Sequence, residues 1–198
     1  MVFVTSTTST AASSDISTYN TTVSNAATAI SALNALGTTW RNIGTTNSVN
    51  AQTNTLTRTS DPSVPIYALN GLRVATGNTD LWDGTLENPI SMNELGNTVS
   101  VTVWTGTAPN GTNGGWAYAE NGGNGWVRRG TSSLTGAGDG TSTAGWTGQV
   151  GQSGNTGQSL YAMSGIITAV PEPATLGIAG GVFAFGVLGR RALRRKTA

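Results

Sequence analysis

The sequence predicts an α+β fold with a loop-rich mixed sheet, one long and one short helix, and a separate hydrophobic helix at the C-terminus. One helical pattern lies near the N-terminus, short apolar runs separated by glycine-rich stretches follow, and residues 170–198 differ sharply in composition. Only 10% of the residues are charged and 28 are glycine, as is typical of loop-rich surface proteins rather than helical enzymes. We therefore divide the chain into a body, residues 1–169, and a tail, residues 170–198.

The first elements of the body are a strand and the long helix. The segment "VFVTST" at residues 2–7 has the β-branched and aromatic content of a strand. The segment "DISTYNTTVSNAATAISALNALG" repeats apolar residues every three or four positions, which predicts one helix with a single apolar face. Ser13, Ser14 or Asp15 would cap its start, and Gly37 would end it. The apolar positions are Ile16, Tyr19, Val23, Ala26, Ala27, Ile30 and Leu33.

The remainder of the body predicts a short helix and several strands. We expect the helix near Ser48–Thr53 and a hairpin at Asn70-Gly71, a dipeptide typical of tight turns. In "NTVSVTVWTG" the strict alternation predicts a strand with the valines at 99, 101 and 103 on one face. We expect further short strands near Trp116 and Trp126, and the last strands in "AGWTGQ" and "SLYAMSGIIT".

Several kinds of chemistry are excluded by composition. The chain has no His and no Cys, which excludes Ser-His-Asp catalysis, His-ligated metals and disulfides. Its single lysine, Lys196, lies in the tail. The body holds five basic and eight acidic residues, so it lacks the positive surface of a nucleic-acid-binding protein. We expect no catalytic residues, no cofactor and no metal, and hence no enzyme activity.

The carboxylates of "TDLWDGTLENP" are clustered, namely Asp80, Asp83 and Glu87. We interpret them as turn-stabilising residues. The alternative is a Ca²⁺ site, which would need further oxygen ligands because Ca²⁺ takes six to eight. A second alternative is a glycosidase-like pair, which would require two carboxylates on either side of a cleft.

Four tryptophans are candidates for stacking on sugars: Trp104, Trp116, Trp126 and Trp146. Trp104 lies in the alternating strand, and we expect it in the core. Trp116 and Trp126 lie in glycine-rich loops, where an exposed aromatic side chain would indicate binding, although we expect core positions for these too. The pair Arg128-Arg129 is expected to be simply solvated.

The tail combines three features in a fixed order. "VPEP" is followed by an apolar run from Ala174 to Leu188 and then by a basic cluster ending the chain. As a helix the 15-residue run would extend about 22 Å, short of a bilayer core of roughly 30 Å unless arginines snorkel. A helix packed on the body is the alternative, but the run has no polar face.

This order of features resembles the PEP-CTERM sorting signal of bacterial surface proteins. Pro171, Glu172 and Pro173 match the motif itself, and Arg190, Arg191, Arg194 and Arg195 match its basic end. The resemblance implies an exported protein, held by its C-terminal helix at least transiently in the membrane, and an exosortase-type membrane protease as partner. Because residues 1–14 contain no signal peptide, we expect the natural start to lie upstream of Met1.

The body resembles the endostatin domain of collagens, and more closely the related bacterial surface domains. "VPIYALNGLRVA", "LWDGTLENPI" and "VWTGTAPNGT" carry the resemblance, which covers residues 2–168. It implies a C-type-lectin-like fold closed by antiparallel pairing of "VFVTST" with "LYAMSGIIT". The zinc-binding histidines and heparin-binding arginine clusters of endostatin have no counterpart here, so neither property is expected.

Two functions follow from these observations. The first is a non-catalytic surface or extracellular-matrix protein that binds a glycan, such as an extracellular polysaccharide, or a protein. The second is a small secreted hydrolase that acts on polysaccharide through carboxylates alone. A concave pocket holding two carboxylates would distinguish them.

Overall fold

The computed structural model describes residues 1–119, 125–136, 138 and 145–168. These residues form a mixed α+β fold with a larger share of strand than of helix, so the α+β part of the predicted fold class is confirmed. The chain divides into two units, Met1–Ile167 and Thr168–Ala198, and all described helices and strands belong to the first. The predicted C-terminal helix and every residue of the predicted sorting signal lie outside the described residues.

The described strands are short and belong to two sheets. The larger sheet has the order β1-β8-β5-β6-β7, with β2 also paired to β8, and the smaller is the hairpin β3-β4. Only the β5–β8 pairing is parallel, so the larger sheet is mixed, as predicted. The strands are β1 Val2–Val4, β2 Trp40–Asn42, β3 Ile66–Tyr67, β4 Arg73–Ala75, β5 Thr102–Trp104, β6 Trp126–Thr131, β7 Gln149–Ser153 and β8 Ser159–Ser164.

The predicted pairing of the terminal strands of the body is confirmed. β1 runs antiparallel to β8, with Phe3 opposite Ala162 and Val4 opposite Tyr161. All three residues of β1 are fully buried. Tyr161 shares its buried face with Val2 in one apolar cluster, whereas β8 ends at Ser164 and Ile166 lies beyond it, 51% exposed.

The described helices differ from the predicted pair. One continuous helix was expected over residues 15–37, but the chain forms α1 (Ile16–Thr28) and α2 (Ser31–Asn34), separated by Ile30 in an extended conformation. The break turns the side chain of Leu33 into the core, where it is 8% exposed. The Thr- and Asn-rich sequence has little intrinsic helix stability, so this packing outweighs the continuation of one straight helix. Two more short helices follow, α3 (Ala51–Thr55) and α4 (Asn78–Leu81). The prediction of one long and one short helix is therefore wrong in number, since the described residues form one long and three short helices.

The predicted helix ends are partly confirmed. Among the three candidate caps, Asp15 is the N-cap of α1, since its Oδ1 accepts a hydrogen bond from the Ser17 backbone N–H at 2.9 Å. Gly37 has a left-handed φ of 59°, but it follows α2 rather than one long helix. The predicted helix at Ser48–Thr53 is present as α3, shifted towards the C-terminus.

The larger sheet is buried on both faces, because alternate residues of its strands enter two separate apolar clusters. Val4, Val103 and Tyr161 join the cluster beneath the loop-rich half of the body. Phe3 and Trp104 join the cluster that contains the buried residues of α1. The three alternating valines contact one cluster as predicted, with Val103 buried and Val99 and Val101 packed against it. The strand itself is shorter than predicted, because β5 begins at Thr102.

Two other strand predictions are adjusted. The hairpin at Asn70-Gly71 is present as β3 and β4, and Gly71 has the positive φ of 81° that its turn requires. The strand expected in "AGWTGQ" begins only at Gln149, because Trp146 and Thr147 precede it in the core as non-strand residues. Trp116 lies outside any strand, whereas Trp126 begins β6.

Candidate functional site

The clustered carboxylates are each engaged by a local partner. Asp80 Oδ2 accepts hydrogen bonds from the backbone N–H and the hydroxyl of Thr76, at 2.6 and 3.0 Å. Asp83 Oδ1 accepts from the backbone N–H of Thr85 at 2.8 Å. These are the contacts that a turn-stabilising role predicts.

The third carboxylate, Glu87, forms an ion pair instead. Its Oε2 lies 2.8 Å from Arg73 Nε, which joins β4 to the following loop. This hydrogen bond raises the pKa of the Arg73 guanidinium above its ordinary value. Among the described residues, no group of three or more Asp and Glu side chains is placed to hold a metal ion.

A cavity of about 390 Å³ opens on the body, but its composition is not that of a hydrolase cleft. None of its lining residues is Asp or Glu. This cavity therefore does not supply the pair of carboxylates that would favour the hydrolase interpretation.

The tryptophans separate into buried and exposed pairs. Trp104 and Trp146 are fully buried, which confirms the prediction for Trp104. The expectation of core positions for Trp116 and Trp126 is wrong, because they are 36% and 57% exposed. Both lie in the glycine-rich part of the sequence.

Arg128 fixes the position of Trp116. Its guanidinium carbon lies 5.3 Å from the centroid of the Trp116 ring, within the range of a cation–π contact. The guanidinium also donates to the carbonyl oxygens of Gly114, Gly115 and Gly148, at 2.9–3.0 Å. The expectation that Arg128 is simply solvated is therefore wrong, since it joins the loop before Trp116 to the segment before β7.

The backbone of Trp116 has a conformation that bulky residues rarely adopt. Its φ is 64°, in the left-handed region. The backbone N–H of Arg128 donates a hydrogen bond to the backbone carbonyl oxygen of Trp116 at 2.9 Å. The main chain of β6 therefore also holds Trp116 in place. Such strain persists only where neighbouring contacts enforce it, and it is concentrated at functional positions.

Trp126 and Arg128 lie on the same face of β6. Val127 between them is fully buried, and alternate residues of a strand point to opposite faces. Trp116 packs on Arg128, and Trp126 lies on the same face of β6, with both tryptophans exposed and Arg128 half-buried. We call these three residues the indole–arginine patch: Trp116, Trp126 and Arg128. Sequence reasoning found its two tryptophans but missed the arginine, although the alternation of "WVR" in a strand was a signal for it.

Comparison with known families assigns the tail. Residues 169–196 match the PEP-CTERM protein-sorting motif. No curated protein matches the chain. The motif implies an exported protein that is sorted by exosortase, a membrane protease, and that is anchored in the membrane transiently before release. None of the helices in the described part of the chain has the length and hydropathy needed to cross a bilayer.

Proposed function

We propose that the body is a non-catalytic saccharide-binding domain that acts at the cell surface or in the extracellular matrix after sorting. The indole–arginine patch carries this proposal. An indole ring offers a flat apolar face for the C–H face of a sugar ring, and its N–H remains a hydrogen-bond donor. Polysaccharide is the ligand class that fits two exposed tryptophans, one at the start of β6 and one outside any strand.

Pre-organisation of the patch supports binding rather than a purely structural role. Trp116 is held by a strained backbone and by Arg128, so little side-chain freedom remains to be lost when a ligand binds. Trp126 keeps 57% of its surface exposed, a large apolar area that the fold leaves uncovered.

A C-type-lectin-like architecture is part of the proposal. The antiparallel pairing of β1 with β8 supports it, because the resemblance to endostatin-related domains implied that closure. The mixed sheet and the long loops between β5 and β8 are consistent with the same architecture.

The alternative, a carboxylate-dependent polysaccharide hydrolase, has no observation in its favour. Asp80 and Asp83 are engaged in turns, and Glu87 in an ion pair. We therefore propose that the protein is not an enzyme. Incubation with polysaccharide substrates and measurement of released reducing ends would test this, and release above the background of a heat-treated sample would contradict it.

Saccharide binding is tested by titrating the full chain with a panel of neutral and acidic polysaccharides. Trp116→Ala and Trp126→Ala are each expected to weaken binding about tenfold or more, the size of effect seen when a central aromatic contact is removed. Leu95→Ala is the matched control, since Leu95 is 58% exposed outside the patch. Equal affinities for all four proteins, or no binding to any member of the panel, would contradict the proposal.

A further inference from the structure

An apolar groove lies at the end of the body where the chain leaves it. This is the cavity of about 390 Å³, and it is bounded by the end of β8, the start of β2 and the segment 55–67. Ten large apolar side chains are exposed among the described residues, and five of them line this one groove. Those five, which we call the groove rim, are Leu56, Val64, Tyr67, Ile166 and Ile167.

The exposure of the groove rim has a backbone cost. Leu56 is the C-cap of α3 and has a left-handed φ of 57°, which is unfavourable for a residue with a bulky side chain. A glycine or asparagine there would satisfy the helix end without strain. Leu56 nonetheless remains 50% exposed, so burial in the core does not explain why a leucine occupies this position.

The side chains that line the groove include one basic residue, Arg41, and no acidic one. Arg41 Nη1 donates to the backbone carbonyl of Asn54 at 2.9 Å, which fixes the side chain at the wall of the groove. Its guanidinium carries five N–H donors in a geometry suited to phosphate oxygens. Tyr67, on the rim, has the amphipathic ring that is enriched at membrane–water interfaces.

Only six residues of chain separate the groove from the start of the apolar run. Ile167 lines the groove, and residues 168–173 are the only ones between it and the apolar run that begins at Ala174. The seven residue-to-residue steps from Ile167 to Ala174 span at most about 25 Å when fully extended. This length is the upper limit of the distance between Ile167 and the first residue of the apolar run.

We propose that the groove is a lipid-contact face, with its apolar rim among the headgroups and Arg41 against lipid phosphate. The face docks the body on the membrane until exosortase processing releases it. This inference rests on the membrane step that the sorting motif implies, and it is independent of saccharide binding by the indole–arginine patch.

The test uses the full chain bound to vesicles of phosphatidylethanolamine and phosphatidylglycerol. The sequence has no cysteine, so Leu56→Cys and Val64→Cys each provide one site for an environment-sensitive fluorophore. Leu95→Cys is the matched control, because Leu95 is 58% exposed and follows Glu94, which binds the backbone of Ser6 beyond the far end of β1. Both groove variants replace exposed side chains, so the fold is expected to persist.

The expected result is a blue-shifted emission at positions 56 and 64 on vesicles. Quenching by nitroxide-labelled lipid should be at least twofold stronger there than at position 95, and quenching by aqueous iodide correspondingly weaker. Iodide quenching equal at all three positions, with the chain sedimenting on the vesicles, would overturn the proposal. Protection at 56 and 64 only when exosortase is added would also overturn it, in favour of a protein partner. If the chain does not sediment with the vesicles, the membrane step on which the proposal rests is contradicted, and the proposal with it. The saccharide titrations do not depend on this result.

Discussion

Two buried tyrosines differ in what their hydroxyl groups contact. Tyr118 Oη donates to the backbone carbonyl of Trp104 at 2.8 Å and accepts from Asn42 Nδ2 at 3.1 Å. Tyr161 Oη is buried without a hydrogen-bond partner among the described residues. A buried hydroxyl with no partner costs free energy of folding, whereas a satisfied one contributes to it.

Phenylalanine substitutions at these two positions should therefore change stability in opposite directions. Tyr161→Phe is expected to raise the free energy of unfolding by about 1 kcal/mol, and Tyr118→Phe to lower it by about 1–3 kcal/mol. Urea denaturation of both variants, followed by tryptophan fluorescence, measures the difference. A loss of stability in Tyr161→Phe would show that its hydroxyl has a partner after all.

These two tyrosines, together with the buried Tyr19, predict how the free energy of unfolding changes at alkaline pH. Burial raises the pKa of Tyr19 to about 12, and it raises those of Tyr118 and Tyr161 further. Above pH 10 the unfolded chain loses these protons before the folded chain does, so the free energy of unfolding falls as pH rises. Stability should be constant from pH 8 to 9.5 and decline from pH 10 upward.

Urea titrations at each pH measure this decline, and Tyr161→Phe is the control. Removing one of the three groups should flatten the slope by up to about 1.4 kcal/mol per pH unit. A denaturation midpoint that stays unchanged up to pH 11 would contradict the burial of these phenols.

The candidate binding residues show where sequence reasoning reached its limit. Trp104 could be placed in the core because a strand alternation surrounds it. The positions of Trp116 and Trp126 could not be predicted in this way, because a glycine-rich segment has no periodicity. Their exposure depends instead on which distant segments fold over them. The contact of Arg128 with Trp116 joins a strand to a loop 12 residues earlier, and no local pattern records it.

At the level of elements, β6 has a glycine that the fold requires. A Cβ at Gly130 would collide with the backbone carbonyl of Trp146, which cannot move without displacing the core residue itself. Gly130→Ala is expected to lower the free energy of unfolding by about 2–3 kcal/mol. Gly136→Ala is the matched control, since a Cβ there would meet no atom within 4 Å. Thermal unfolding of both variants decides the matter, and equal melting temperatures would contradict the packing described for β6.

Loss of β1 should remove hydrogen bonds on both sides of this strand. β1 pairs with β8, and the Val4 N–H also donates to the Met92 carbonyl at 3.0 Å on its other side. Deleting residues 1–7 is expected to expose the edge of β8 and cause aggregation. The milder Phe3→Ala should cost about 3–5 kcal/mol, because Phe3 is fully buried.

Leu72→Ala is the control for Phe3→Ala, since Leu72 is 49% exposed on the hairpin turn. Differential scanning calorimetry and light scattering measure the two effects. A deletion variant that stays monomeric with an unchanged melting temperature would show that β1 is dispensable.

Elements were predictable where a local pattern coincides with a tertiary contact. The apolar stripe of α1 and the Asn70-Gly71 hairpin belong to this class, whereas the pairing of the terminal strands was implied by the resemblance to endostatin-related domains rather than by a local pattern. The break at Ile30 was not predictable, because the stripe continues through it and only the position of the core beneath Leu33 separates α1 from α2. The late start of β7 has a similar cause, since Trp146 is buried outside the strand.

For the whole molecule, the sorting motif predicts a specific processed product. In a host with the cognate exosortase, mature protein should lack the C-terminal segment from near Pro171–Pro173 onward. Glu172→Ala should retain it, because the change removes the charged residue of the motif itself. Intact-mass measurement of envelope-derived protein tests both. A mature species that still ends at Ala198 would contradict cleavage, and the variant Leu95→Ala, at a residue that is 58% exposed on the body, should be processed like the unmodified chain.

The position of β8 also determines how the fold carries mechanical load. Tension from an anchored tail enters the body at the end of β8, which has β1 on one edge and β2 and β5 on the other. Sliding β8 out along its axis would shear the hydrogen bonds of both edges together, whereas a strand with one neighbour peels away bond by bond. Because resistance to force depends on the rate of unfolding under load, we expect the body to unfold more slowly under tension on β8 than under tension on a strand with a single neighbour.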